Sequence, residues 1–127
     1  MTQLTKNFSR EELACKHCVR MDIPLASVER LQRVRDRVGH FLKVSSGFRC
    51  AEHNNIVSQT GRDGPHTKGA FDILIYGDEV YHLIVAALAE GFTGIGVSQK
   101  GPHEKRFIHL DDLPDAEGQS RPRVWSY

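Results

Sequence analysis

The segment Arg106-Phe107-Ile108-His109-Leu110-Asp111 constrains the fold of this chain more than any other. Side chains alternate along a strand, so Ile108 and Leu110 share one face and Phe107, His109 and Asp111 the other. The apolar face requires a core behind it. The opposite face carries an imidazole and a carboxylate, which a core does not accept without partners. Ala70 to Ile75 repeats the pattern, with Phe71, Ile73 and Ile75 on one side and Asp72 on the other. Two such strands from one sheet bring Asp72 and His109 to a common face. His66, just ahead of the Ala70 strand and behind Gly64-Pro65, is placed to join them.

The rest of the chain supplies the frame. Ser9-Arg10-Glu11-Glu12 reads as a capping box that opens a short helix, with Ser9 as N-cap and Glu12 three positions on. After Pro24, Leu25, Val28, Leu31, Val34 and Val38 recur at helical spacing, and Gly39 supplies a stop. Phe41 to Val44 reads as a strand. Ala51 to Gly69 is polar and glycine-rich and reads as one long loop, of the kind that usually carries function. Asp78 caps a helix striped by Val80, Leu83, Ile84, Ala87 and Leu88, which Gly91 ends. Strands follow at Thr93 to Ser98 and Arg106 to Asp111, joined by the polar stretch Gln99 to Lys105. From Pro114 the tail is loop-like until Arg123-Val124-Trp125-Ser126-Tyr127, where Trp125 and Tyr127 form an aromatic pair suited to pin it to the core. These elements predict an α+β fold over residues 1–127 as one domain, with a small, mainly antiparallel sheet backed by helices.

Composition narrows the function classes. At 127 residues, 39% hydrophobic and 26% charged, the chain has the make-up of a soluble globule with one modest core. A formal net charge of +1 argues against a nucleic-acid surface or a membrane-binding patch. No apolar run approaches the ~18 residues of a membrane span. Met1 to Lys6 lacks the charged-then-apolar order of a signal peptide, so the expectation is cytoplasmic synthesis, with action elsewhere only after release.

Two histidines and one aspartate form a donor set that suits zinc, and three protein ligands leave a fourth position for water. Zinc brings that water's pKa to about 7 and polarises a carbonyl, which is the chemistry of amide hydrolysis.

The motifs around these residues sharpen the reading. Ser46-Gly47-Phe48-Arg49-Cys50-Ala51-Glu52-His53-Asn54 resembles the SGYRxxxHN segment of the M15 zinc peptidases, the D-Ala-D-Ala carboxypeptidase group. His66-Thr67-Lys68-Gly69-Ala70-Phe71-Asp72 is similar to their His-x-x-Gly-x-Ala-x-Asp, and Phe107 to Asp111 to their Phe-Val-His-Val-Asp strand. Glu12-Leu13-Ala14-Cys15 and Arg123-Val124-Trp125-Ser126-Tyr127 also look like the short phage and bacterial members, so the resemblance spans nearly the whole chain in order. It implies the hedgehog/DD-peptidase-like fold and a Zn2+ ion on His66, Asp72 and His109. The substrate it implies is a peptidoglycan stem peptide or cross-bridge. The further expectation is a monomer, and the lack of signal-peptide order suits one that reaches the wall after release or acts within a phage particle. One departure stands out. The family spacing from first histidine to aspartate is seven, and here it is six, which Gly69 is placed to absorb.

Other roles stay open at this level. The family places a base shortly before the last ligand, where this chain offers His103 and Glu104 next to the Gly101-Pro102 turn. Arg49 either steadies substrate and oxyanion or braces the long loop. His53 and Asn54 read as shaping that loop. Cys15-x-x-Cys18 with Cys50-x-x-His53 is compatible with free thiols, a disulfide after export, or a Cys3His structural zinc site. Two further functions compete with hydrolysis. One is a non-catalytic zinc-containing binding domain on the same scaffold, as in the hedgehog signalling domain. The other is a zinc-ribbon-like nucleic-acid module around Cys15 and Cys18, which the near-neutral charge disfavours.

Overall fold

Alternating strands and two amphipathic helices meet in one core. A computed structural model of the chain describes residues 2–127. In chain order the elements are α1 (Arg10–Leu13), α2 (Leu25–Val38), β1 (Lys43–Ser46), α3 (Ala51–Val57), α4 (Pro65–Lys68), β2 (Ala70–Leu74), α5 (Glu79–Ala89), β3 (Gly94–Ser98), β4 (Phe107–Asp111) and β5 (Arg123–Ser126). A 3-10 turn at His103–Lys105 precedes β4. This is a small α+β fold, a five-stranded sheet in the order β1-β2-β4-β3-β5 backed by helices. Every pairing is antiparallel except β3 with β5.

The sheet's apolar face meets the helices. Phe71, Ile73, Ile95, Ile108 and Leu110 pack with Val28, Leu31 and Val34 of α2 and Leu83, Ala86 and Ala87 of α5 in one buried cluster. Each fully buried aliphatic side chain contributes roughly 1.5–3 kcal/mol, so these strands cannot slip by one residue without turning their apolar set to solvent. α1 opens on the capping box: the Glu12 N–H donates to Ser9 Oγ (3.3 Å) and the Ser9 N–H to Glu12 Oε1 (3.0 Å). α2 ends at Gly39, which is left-handed at φ 74 and donates its N–H to the Arg35 carbonyl. Leu25 and Leu88, counted in the apolar stripes, lie at helix ends and face solvent.

Three expectations change. The stretch from Ala51 to Gly69 is not one loop but winds into α3 and α4. Cys50 caps α3, its Sγ accepting the His53 N–H, and Pro65 opens α4 at a position where its missing N–H costs nothing. Both helices are too short to show helical periodicity. β1 begins at Lys43 rather than Phe41, which is exposed, and its register with β2 shifts between Val44 and Ser46. The C-terminal residues do more than pin a tail: Arg123–Ser126 adds a parallel edge strand along β3. Among the described residues, no helix is long and apolar enough to cross a membrane.

Candidate metal centre

Register sets the site. In the β2·β4 pairing Asp72 lies opposite His109, and on the far side of β4 His109 lies opposite Gly96 of β3. His66 enters from α4. Between them Gly69 takes φ 134, a conformation open to glycine, and turns the chain from α4 into β2. That turn absorbs the short spacing, and His66 Nε2 sits 3.1 Å from Asp72 Oδ1. His109 Nδ1 lies 3.2 Å from the same oxygen. All three side chains are buried, and one ligand atom from each lies within 4.8 Å of the others.

The outer partners decide what these atoms offer. His66 Nδ1 is 2.7 Å from the Gly47 carbonyl, which only accepts, so this nitrogen carries the proton. His109 Nε2 is 2.7 Å from Asp111 Oδ2, a carboxylate already engaged by Arg121, so this nitrogen donates as well. In neutral imidazoles the inner nitrogens, His66 Nε2 and His109 Nδ1, then present lone pairs toward Asp72 Oδ1. Three acceptors converging in a buried space repel one another unless a cation lies between them. The set fits zinc by this test, and the outer carbonyl and carboxylate are the partners that fix metal-binding histidines in the right tautomer.

Without the cation, protons do part of the same work. Burial opposes ionisation of Asp72, but the His66 charge and hydrogen bonds from His109 and His66 win and hold its carboxyl well below the usual range. Burial likewise opposes ionisation of Asp111, yet His109 and Arg121 hold it low. His109 is pushed down by burial and up more strongly by Asp111 and Asp72, for a net rise.

The centre lies in a cleft of about 1090 Å³. One wall comes from residues between Val57 and Lys68, the other from Glu117 to Tyr127, with Lys100 and Phe107 between them. Trp125 packs on His109, ring centroids 5.0 Å apart, beneath the guanidinium groups of Arg121 and Arg123. Tyr127 leans on Phe107 at 5.1 Å. Arg49 borders the cleft with its Nη2 3.5 Å from Asp72 Oδ2, while Nη1 donates to Asn54 Oδ1 (3.0 Å) and Nε to Ser46 Oγ (3.1 Å). Burial lowers its pKa despite the nearby Asp72. It therefore braces the Ser46–Asn54 segment while facing the site.

Of the residues singled out in the sequence, the fold brings together His66, Asp72, His109 and Arg49. It does not bring in His103 or Glu104. Both are exposed on the 3-10 turn, His103 stacks on Tyr76 with centroids 4.4 Å apart, and neither lines the cleft. The second wall is the C-terminal segment. Arg121, the partner of Asp111, went unnoticed, since nothing local marks an arginine that closes on a strand ten positions upstream. Gly94 and Gly96 left a readable sign, because alternate glycines in a strand mark a close approach. A Cβ on Gly94 would overlap the Asp111 carboxylate, and one on Gly96 would lie 2.8 Å from the Trp125 indole.

The peptidase M15 family model matches residues 6–111, and the chain belongs to that family. No curated protein and no solved structure matches it.

Proposed function

We propose that the chain hydrolyses amide bonds in peptidoglycan stem peptides or cross-bridges, with zinc held by His66 Nε2, Asp72 Oδ1 and His109 Nδ1. The observation that carries this reading is the convergence of three ligand lone pairs at the floor of an open cleft, in a chain of the M15 peptidase family. When bound, zinc supplies a water acidic enough to ionise near neutral pH and polarises the scissile carbonyl. The protein's own residues do the rest. Arg49, fixed by Ser46 and Asn54, keeps guanidinium N–H groups beside the site for a carbonyl oxygen gaining charge. Asp111 and Arg121 hold His109 in one tautomer and one orientation.

The cleft chemistry supports a wall peptide as substrate. Lys100 and Arg123 line it with no Asp or Glu partner among the described residues, while Arg49, Lys68 and Arg121 are paired with Asp72, Asp63 and Asp111. Stem peptides carry free carboxylates, and a cationic cleft of this size takes several residues of such a chain. Proton transfer to the leaving amine is assigned to His103 or Glu104, and this requires the turn between Lys100 and Phe107 to fold inward when substrate binds. Catalytic hydrogen bonds often tighten only in the substrate complex.

Mass spectrometry of purified muropeptides, incubated with the protein with and without chelator, tests the proposal. Loss of a terminal D-alanine identifies a carboxypeptidase, and a new internal amine an endopeptidase. The outward position of His103 and Glu104 favours one second reading, a zinc-containing domain that binds wall peptides without cutting them. Zinc bound at full occupancy with no chelator-sensitive product selects that second reading.

A further inference from the structure

A second cluster of metal-binding groups lies apart from the cleft. Cys15 and Cys18 follow α1, and Cys50 caps α3, yet one sulfur from each lies within 4.8 Å of the other two. All three are free thiols, Cys15 and Cys50 buried and Cys18 half-buried. A disulfide would join two of them and strand the third. Three sulfurs at mutually short range instead match the face of a tetrahedral thiolate site, whose edges are roughly 3.8 Å for zinc–sulfur bonds near 2.3 Å.

The surroundings are organised around these sulfurs. The backbone N–H groups of His17 and Cys50 both donate to Cys15 Sγ at 3.4 Å, and the His53 N–H donates to Cys50 Sγ at 3.5 Å. Such bonds favour the thiolate over the thiol. A fourth donor is at hand: His17 Nδ1 is 3.3 Å from Cys50 Sγ, and its ring lies against that of His53 at 5.9 Å. The turn is tight enough to force Val19 to φ 59, a costly conformation for a β-branched residue that persists only where the surroundings impose it.

We propose that Cys15, Cys18 and Cys50, with His17 Nδ1 as the fourth donor, hold a structural zinc ion that ties the segment after α1 to the N-terminus of α3. The consequence reaches the cleft, because Cys50 directly follows Arg49 and opens the helix that carries Asn54. A cross-link here fixes the backbone from which the Arg49 guanidinium is aimed.

The test separates the two metals by removing one. The full-length His66→Ala/His109→Ala variant, saturated with zinc and dialysed, is expected to keep one zinc per chain by elemental analysis, against two in the wild type. Titrating its thiols with a mercurial is expected to release that zinc in step with modification of all three cysteines. Cobalt(II) in its place is expected to show thiolate-to-metal charge-transfer absorption. These readouts need no cysteine variant to fold. His17→Ala in the same background is expected to speed zinc loss to a competing chelator, and His53→Ala is not. Three thiols that react at once with no zinc released, or one free thiol beside a disulfide, overturn the proposal. Faster loss from His53→Ala alone overturns the choice of His17.

Discussion

Arg121 grips Asp111 with both arms of its guanidinium, Nε 2.8 Å from Oδ1 and Nη2 2.7 Å from Oδ2, while Asp111 Oδ2 stands 2.7 Å from His109 Nε2. A residue from the C-terminal segment thus sets the orientation of an imidazole in the middle of the sheet. Carboxylates behind metal-bound histidines raise ligand basicity and fix the tautomer, and a bidentate arginine fixes the carboxylate in turn.

Arg121→Ala leaves a buried carboxylate with only His109 and the Leu113 N–H for company. The expected outcome is a loss of roughly 3 kcal/mol in stability, at the lower end for broken buried pairs because His109 remains. Zinc affinity at the cleft site is expected to fall by about 10- to 100-fold. Arg121→Lys returns the charge without the fork and is expected to recover stability more than affinity. Denaturant unfolding and competition with a chromophoric chelator measure the two effects. Unchanged affinity in both variants contradicts the relay.

The metal-free site carries an opposing pH signature. His109 has its pKa raised in the folded chain. Its stabilising contribution is therefore complete below the ordinary imidazole value of about 6.5 and is lost as pH climbs through the raised folded value. Zinc works the other way, since it needs deprotonated imidazoles. The gap in Tm between zinc-loaded and stripped protein is expected to widen from about pH 6 to about pH 8, after subtracting the same gap in the His66→Ala/His109→Ala variant. Asp72 and Asp111 have lowered values, so their contribution is present above about pH 4 and fades as pH falls through the folded values. A gap that narrows toward alkaline pH contradicts the ligand set.

How much of this was legible follows from the range of each interaction. Alternation in two short segments was enough to place Asp72 and His109 on one face, because strand period and core burial are local rules. His66 came with its motif, and the glycine that absorbs the short spacing was visible beside it. The two short helices between Ala51 and Gly69 escaped, since a helix of four to seven residues depends on caps and tertiary contacts rather than periodicity. Arg121, Trp125 and the wall they form depend on how the chain returns along β3, which no local pattern announces. The same limit placed His103 and Glu104: closeness in sequence to His109 suggested closeness in space, but the 3-10 turn faces them outward.

Arg49 separates into two roles by substitution. Arg49→Lys keeps a cation near Asp72 but loses the fork that holds Ser46 and Asn54. If its guanidinium steadies developing charge, kcat on a muropeptide substrate falls by about 100-fold with little change in Tm or zinc content. If it only braces the segment, Tm falls and kcat at a permissive temperature is kept. Steady-state kinetics beside thermal unfolding resolves the pair, and the geometry, in which Arg49 both braces Ser46 and Asn54 and faces the site, predicts that kcat and Tm fall together.

Gly96 tests whether Trp125 is a structural lid on the ligand strand or a passive edge residue. It lies opposite His109 on one side and Trp125 on the other, and an added methyl would stand 2.8 Å from the indole and 3.0 Å from His109 Cβ. The indole is rigid and cannot fold its end away, so Gly96→Ala must push β5 outward or shift His109. Overpacking of this kind costs about 1–3 kcal/mol. If β5 yields, indole fluorescence shifts toward that of a solvated tryptophan, and KM rises more than kcat falls because the cleft wall has moved. If His109 yields, zinc affinity drops instead. The β3·β4 ladder holds His109 from a central strand while β5 sits at the sheet's edge, so movement of β5 is the expected result.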